Sequence, residues 1–176
     1  MISAQYKELL SKTHKEDDSW GTSASYYADH VTSIINALNI TDMLDYGAGK
    51  GVLAKSIAPD HKVWVSEYDP CIEDISEPPI PHEFVVCADV LEHIEREHLF
   101  AVLNDLQRVT KNIGVFYIAT EAAIKILPDG RNAHLIQESL EWWLPKIMKR
   151  FSLQSLSRTG SGFFVVVKPY EIEARQ

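Results

Sequence analysis

Residues 43–57 read Met43-Leu44-Asp45-Tyr46-Gly47-Ala48-Gly49-Lys50-Gly51-Val52-Leu53-Ala54-Lys55-Ser56-Ile57, and this stretch decides the fold. A short apolar run over 43–46 predicts a buried strand. Three glycines at alternate positions then predict a sharp turn, and Val52, Leu53 and Ile57 lie at the spacing of a helix face. Glycine lets the chain turn tightly and lets a ligand approach the backbone. The helix that follows offers unpaired N–H groups to that ligand. A glycine pattern alone is shared with dinucleotide-binding domains, so it needs a second feature. Asp69 supplies one: it lies 24 residues after Asp45, just past a predicted strand over 63–67, and precedes Pro70. A carboxylate there can accept two hydrogen bonds from a ribose diol. Glu67 competes for this role, and Asp69 is the preferred candidate.

Outward from this stretch, helix and strand patterns alternate, which predicts an α/β sandwich. A segment through Tyr6, Leu9 and Leu10 is amphipathic. A helix over 23–38 has Tyr27, Val31, Ile34, Ile35 and Leu38 on one face. Strands follow over 84–89 and 114–120, with a helix through Ile94, Leu99, Val102, Leu103, Leu106 and Val109 between them. A further helix is expected over 137–150. The runs 151–156 and 163–167 flank Thr159-Gly160-Ser161-Gly162 and predict an antiparallel closing hairpin. Only 13 residues separate Pro70 from Phe84, and Pro78, Pro79 and Pro81 are among them. Prolines exclude a central strand or helix interior there. The expected fold class is therefore α/β: a Rossmann-like three-layer sandwich, mostly parallel, with an antiparallel C-terminal hairpin and the third strand short or missing. Residues 1–40 are expected to form a helical cap integral to one domain, and residues 41–176 its catalytic part.

The chain has 176 residues, enough for one domain with a real core. Its 45% hydrophobic and 24% charged composition is that of a globular protein. No apolar run approaches the roughly 18 residues of a membrane helix. The start of the chain lacks a basic region followed by an apolar one, so a cytoplasmic protein is expected. Cys71 and Cys87 are too few for a disulfide framework. The net charge of −8 argues against duplex binding, which calls for a basic face. Lys146, Lys149 and Arg150 end a predicted helix, where they complement its dipole. A small-molecule partner is expected, with a minor RNA contact left open.

A second constellation is Asp89-Val90-Leu91-Glu92-His93. Its i, i+3, i+4 spacing predicts Asp89, Glu92 and His93 on one side of a helical turn. His134 follows the next strand, and both loops would open at the same edge of the sheet. Two carboxylates and two imidazoles are a plausible ligand set for Mg²⁺, Mn²⁺, Fe²⁺ or Zn²⁺. The structural alternatives are that Glu92 stabilises a helix start and that His93 packs in the core. His134 is also a candidate general base without metal. The remaining histidines, His14 among them, read as surface or packing residues. Ser23 reads as an N-cap. Trp20, Tyr26 and the pair Trp142-Trp143 are candidates for a substrate wall. The loop over 127–134 is the candidate for substrate recognition, with Arg131 either holding an anion or pairing with Asp129.

"MLDYGAGKGVLAKSI", "VSEYDP" and "FVVCADVLEHI" resemble the successive motifs of class I S-adenosylmethionine-dependent methyltransferases, over about residues 43–167. The resemblance implies that Asp45, Gly47, Gly49, Gly51, Asp69 and Asp89 contact S-adenosylmethionine. The family's adenine contacts usually lie in the stretch that is short here, and Ile72 is the one wall residue it offers. The Asp-x-x-Glu-His motif is also similar to that of metal-dependent small-RNA 2′-O-methyltransferases and of the O-methyltransferases of ubiquinone biosynthesis. That likeness implies Asp89, Glu92, His93 and His134 as metal ligands, with Glu92, His93 and His134 acting on a substrate hydroxyl. O-methylation of a small-molecule or sugar-like hydroxyl is the expected activity. The alternatives are N- or RNA 2′-O-methylation, separated by product analysis; a dehydrogenase, separated by binding of NAD; and a cofactor-binding scaffold without turnover.

Overall fold

Among the described residues six strands are long enough and apolar enough to pair into one sheet. They are β1 (Asp42–Tyr46), β2 (Trp64–Tyr68), β3 (His82–Ala88), β4 (Thr110–Ala119), β5 (Phe151–Arg158) and β6 (Gly162–Pro169). Their order across the sheet is β2-β1-β3-β4-β6-β5. The first four run parallel, β6 pairs antiparallel with β4, and β5 antiparallel with β6. The computed structural model describes residues 2–170. Residue 1 and residues 171–176, the outer ends of the expected cap and catalytic part, lie outside the described residues.

Parallel strands must be covered on both faces. One face carries α4 (Leu99–Val109) and α5 (Leu140–Ile147), packed through Leu103, Leu106 and Trp143 onto Val85, Phe116 and Val165. The other carries α2 (Ala28–Leu38) and α3 (Val52–Ser56), whose Val31, Ile35 and Leu53 meet Met43, Phe84 and Val115. Helix α1 (Ala4–Glu16) belongs to neither layer. Its Tyr6 packs with Trp20, Leu127 and Ala133 in a third, small cluster beside the sheet's carboxyl edge. Ser3 caps α1 by accepting from the Tyr6 N–H at 3.2 Å, and its own hydroxyl donates to Glu95 at 2.7 Å.

The third strand, expected to be short or missing, does not form among the described residues. Between β2 and β3 the chain forms only a 3₁₀ turn, Glu73–Ile75, and the proline segment. That segment runs toward α4, where Arg108 Nη2 donates to the Pro79 carbonyl at 3.0 Å.

Three helix expectations need correction. The segment expected as one helix over 23–38 opens as a 3₁₀ turn, Ser23–Tyr27, before α2. The helix expected through Ile94 begins only at Leu99, and residues Leu91–His93 are a separate 3₁₀ turn. The helix expected over 137–150 is eight residues long. In each case apolar spacing continues past the point where the backbone leaves the helix, so periodicity overran the boundary. Both cysteines are free and buried. Among the described residues no helix is long and apolar enough to cross a membrane.

Trp143 is fully buried, and its indole N–H has no hydrogen-bond partner. Trp143→Ala is expected to cost about 3–5 kcal/mol through the cavity it leaves. Trp143→Phe should cost far less, because it also removes the unsatisfied donor. Urea midpoints of the two variants at unchanged m-value test this.

Candidate active site

The chain reverses at the end of β1 in a space too small for side chains. Gly47 has φ +83°, and a Cβ there would overlap the Val90 side chain. Gly49 has φ +54°, and its Cβ would sit 2.6 Å from the Gly21 carbonyl oxygen. Two distant segments thus close on the turn. The N-terminal one is pinned by the Lys50 N–H, which donates to Gly21 O at 3.1 Å, and by Lys50 Nζ, which donates to Asp17 O at 2.9 Å.

Beside the turn lies a cleft of about 750 Å³, within the range of about 300–1,000 Å³ usual for small-molecule sites. Gly47, Gly49, Asp69, Asp89, His93 and His134 all line it. Asp69 accepts from the Gly49 N–H at 3.1 Å with one oxygen and from the Cys71 N–H at 2.8 Å with the other. Each carboxylate oxygen keeps a further lone pair. Glu67, the competing candidate, turns instead to Gly51 and a shallower neighbouring recess.

Three residues expected to touch a cofactor, Gly51, Asp45 and Ile72, are absent from the cleft wall. Gly51 faces that recess, because the turn has already swung toward α3. Asp45 lies beneath the floor, 2% exposed, with Oδ2 unpartnered. Burial, reinforced by Glu67 and Asp69, pushes its carboxyl up to about 7. Ile72 also turns into the shallower recess.

At the far end of the cleft, Asp89, His93 and His134 each offer a ligand atom within 4.8 Å of the others. Each imidazole is fixed by a backbone carbonyl: His93 Nδ1 donates to Ala133 O at 2.8 Å, and His134 Nδ1 to Glu121 O at 2.6 Å. A carbonyl only accepts, so Nδ1 carries a proton, and in the neutral ring Nε2 keeps its lone pair. The rings meet edge to face, 4.8 Å between centroids. Burial holds the His93 imidazole below its ordinary pKa, which keeps it neutral. Asp89 sits at φ +63°, a left-handed conformation that aspartate tolerates better than most residues. It accepts a hydrogen bond from the Ser23 hydroxyl. Ser23 is therefore not an N-cap: it is the first residue of the 3₁₀ turn Ser23–Tyr27, and its hydroxyl is spent on Asp89.

Glu92 departs from the expected set. Among the described residues, the group of converging ligand atoms contains Asp89, His93 and His134 without it. The tight 3₁₀ turn points Glu92 into the core, 0% exposed, where Oε1 accepts from the Ala119 N–H at 2.6 Å. Burial, and then the nearby Asp89 charge, raise its pKa well above the ordinary carboxyl value. Its carbonyl accepts from the Ile136 N–H at 2.9 Å. Glu92 thereby ties the loop carrying His93 to the end of β4 and to the loop carrying His134.

The candidate substrate walls divide. Trp20 and Tyr26 line the cleft, whereas Trp142 and Trp143 do not. Trp143 is core, and Trp142 lies under Lys146, 3.4 Å from the ring centroid. Arg131 pairs with Asp129 at 2.7 Å and stiffens its turn. Sequence reasoning missed His14, Ser161 and Lys125, which all line the cleft. For His14 a signal existed: Tyr6, Leu10 and His14 share one helical face at i, i+4, i+8. Ser161 comes from a hairpin turn, and Lys125 bonds Ser19 Oγ at 2.8 Å, pairings of distant residues that no local pattern marks.

No protein-family model matches the chain, and no curated protein matches it. Solved structures do. DhpI in complex with SAH is 16% identical, with a TM-score of 0.67 over 96% of this chain and 98% of that one. The N-methyltransferase NodS from Bradyrhizobium japonicum, in complex with S-adenosylhomocysteine, is 12% identical, with a TM-score of 0.62 over 96% and 100%. An O-methyltransferase family protein from Burkholderia thailandensis is 9% identical, with a TM-score of 0.64 over 89% of this chain and 61% of that one. At these identities the likeness carries the fold: the chain has the α/β, Rossmann-like fold of S-adenosylmethionine-dependent methyltransferases.

The raised pKa of Asp45 has a stability consequence. The unfolded carboxyl ionises near pH 4 and the native one near 7, so the native state holds the extra proton between them. Its contribution to stability is fully present below about pH 4 and falls as pH rises to about 7. Asp45→Asn cannot ionise. Its urea midpoint should gain on the wild type progressively from pH 4 to pH 7 and level off above.

Proposed function

We propose that this chain transfers the methyl group of S-adenosylmethionine to a hydroxyl oxygen of a small-molecule or sugar-like acceptor. The observation that carries this reading is the pair of carbonyl-anchored imidazoles, His93 and His134. Both present an Nε2 lone pair beside Asp89 in the cleft that the glycine turn also lines. An alcohol is a weak acid and needs such a base. The acceptor is uncharged in this reading, because Asp89 lines the cleft and Lys125, a cation on its wall, is already bonded to Asp17 and Ser19.

The residues fit the cofactor. The turn at Gly47 and Gly49 is bare of side chains, and Asp69 keeps acceptor capacity at the end of β2. His14, which lines the same cleft, has a buried Nδ1 without a partner. The cofactor supplies an electrophilic methyl group when bound. The protein's part is to hold acceptor oxygen and methyl in line and to keep water out. Residues up to 40 serve as the cap in this reading, with Trp20 and Gly21 closing over the turn. The two free, buried cysteines suit a cytoplasmic setting.

Asp89, His93 and His134 are also the residues that would hold a divalent cation. Two ring nitrogens and one carboxylate suit Zn²⁺, Mn²⁺ or Fe²⁺ better than Mg²⁺, which prefers oxygen. Backbone carbonyls that orient both rings are the outer support such ligands usually have. A bound cation would lower the pKa of the acceptor hydroxyl. His134 Nε2 can take the acceptor's proton without it. Glu92 is a positioning residue, acting through the two loops it joins.

Titration calorimetry with S-adenosylhomocysteine tests the cofactor. The wild type is expected to bind, and Asp69→Ala to bind at least tenfold more weakly. His134→Ala should keep cofactor affinity and lose about 10²–10⁴-fold in turnover, measured as S-adenosylhomocysteine release across an acceptor library. Failure of the wild type to bind S-adenosylhomocysteine would refute the reading. Equal turnover by His134→Ala would remove the imidazoles from the chemistry. Chelation that leaves turnover unchanged would remove the cation.

A further inference from the structure

The two most exposed large apolar side chains among the described residues are Ile124, at 102%, and Tyr26, at 85%, and both line the cleft. A side chain this exposed that lines a cleft stands at its mouth. Apolar surface in water is ordinary where it is scattered; gathered at a cleft, it marks a contact with a ligand or partner. Local structure ties each side chain to the polar group inside. Ser23–Tyr27 is a 3₁₀ turn, in which residues three apart stand above one another. Tyr26 therefore shares the side of Ser23, whose hydroxyl donates to Asp89. Ile124 follows Glu121 by three residues, so its Cα lies no more than about 11 Å from that of Glu121. The Glu121 carbonyl anchors the His134 ring. Between them, Ala122 and Ala123 also line the cleft and bring no polar side chain.

Ile124 is held outward by its neighbours. On one side, the Ala123 N–H donates to Asn132 Oδ1 at 2.9 Å, and Asn132 Nδ2 donates to the Ala123 carbonyl at 2.8 Å. On the other, the Lys125 carbonyl accepts from the Ala133 N–H at 3.0 Å. Both flanking residues are fixed, which fixes the direction of the side chain between them.

We propose that Tyr26 and Ile124 form an apolar rim that selects the acceptor: a hydroxyl borne on an apolar aryl or alkyl body, which packs against the rim while the hydroxyl reaches Asp89, His93 and His134. This rests on the methyl-transfer reading above and narrows its acceptors to apolar ones. A sugar presents hydroxyls on every side, and each one set against Ile124 or the two alanines would lose its water without gaining a partner. An aryl or alkyl body holds its water poorly, and it takes Tyr26 and Ile124 out of water at the same time. The rim touches no reacting atom. It governs how tightly the acceptor is held, and so KM more than kcat.

The test uses the full chain with S-adenosylmethionine and two acceptor series, para-alkylphenols from methyl to heptyl and the polyols glucose, ribose and inositol. Release of S-adenosylhomocysteine is the readout. For the wild type, KM should fall along the phenols by about tenfold or more at nearly constant kcat, and the polyols should turn over poorly. Ile124→Ser and Tyr26→Ser should each flatten that fall. Ile80→Ser, which changes an exposed isoleucine away from the cleft, should keep it. All three side chains are exposed, so these variants should fold. A KM that ignores chain length, the same fall in both rim variants, or polyols preferred over phenols would overturn the rim while leaving methyl transfer intact. No turnover of any member of either series would overturn both. Sedimentation at assay concentration addresses the other occupant of an apolar rim, a second copy of this chain. A dimer that Ile124→Ser dissolves would overturn the proposal, and a monomer in both proteins supports it.

Discussion

Between Gly47 and Val90, and between Gly49 and Gly21, there is no room for a single added carbon. This close approach is the constraint that the rest of the cleft depends on. It draws three segments remote in sequence to one point: the N-terminal stretch, the end of β1 and the loop after β3. Backbone meets backbone at Gly21 and Gly49, and the Val90 side chain closes on Gly47, so the turn's walls leave little room to adjust. Sheet and helices position this contact, and the contact positions everything that lines the cleft.

A second tie holds the opposite end. Glu92 is a carboxyl placed where charge is costly, and burial raises its pKa well above the ordinary carboxyl value. Its oxygen satisfies the Ala119 N–H at the end of β4, and its own carbonyl satisfies Ile136. A buried carboxyl that bridges two loops is a spacer: it sets how far apart His93 and His134 stand. Its motif neighbours Asp89 and His93 face the cleft, so adjacent residues divide between chemistry and support.

Much of this was legible in the sequence, for physical reasons. The glycine turn is readable because only glycine tolerates such backbone, and the hairpin because its turn residues are equally restricted. The lost third strand was readable from Pro78, Pro79 and Pro81, which remove donors a strand must supply. The direction of Glu92 was not. Its i, i+3 relation to Asp89 implies a shared face only where one helix holds both residues, and here the 3₁₀ turn begins at Leu91, after a left-handed Asp89. Nor was the use of Ser161, whose partner Tyr117 lies far along the chain.

The absent strand has a consequence for the outside of the molecule. It leaves β2 at the margin of the sheet, with one side of its backbone facing solvent. Such a margin is a template on which another chain can add, and proteins that keep one open must blunt it. Here β2 is five residues long, so little can be templated. Its exposed Trp64 is roofed by the Lys62 ammonium, 3.9 Å from the ring centroid, which sets a hydrated charge over what would be a greasy landing site. Removing Lys62 would cost the fold little and the colloidal stability of a concentrated solution a good deal more.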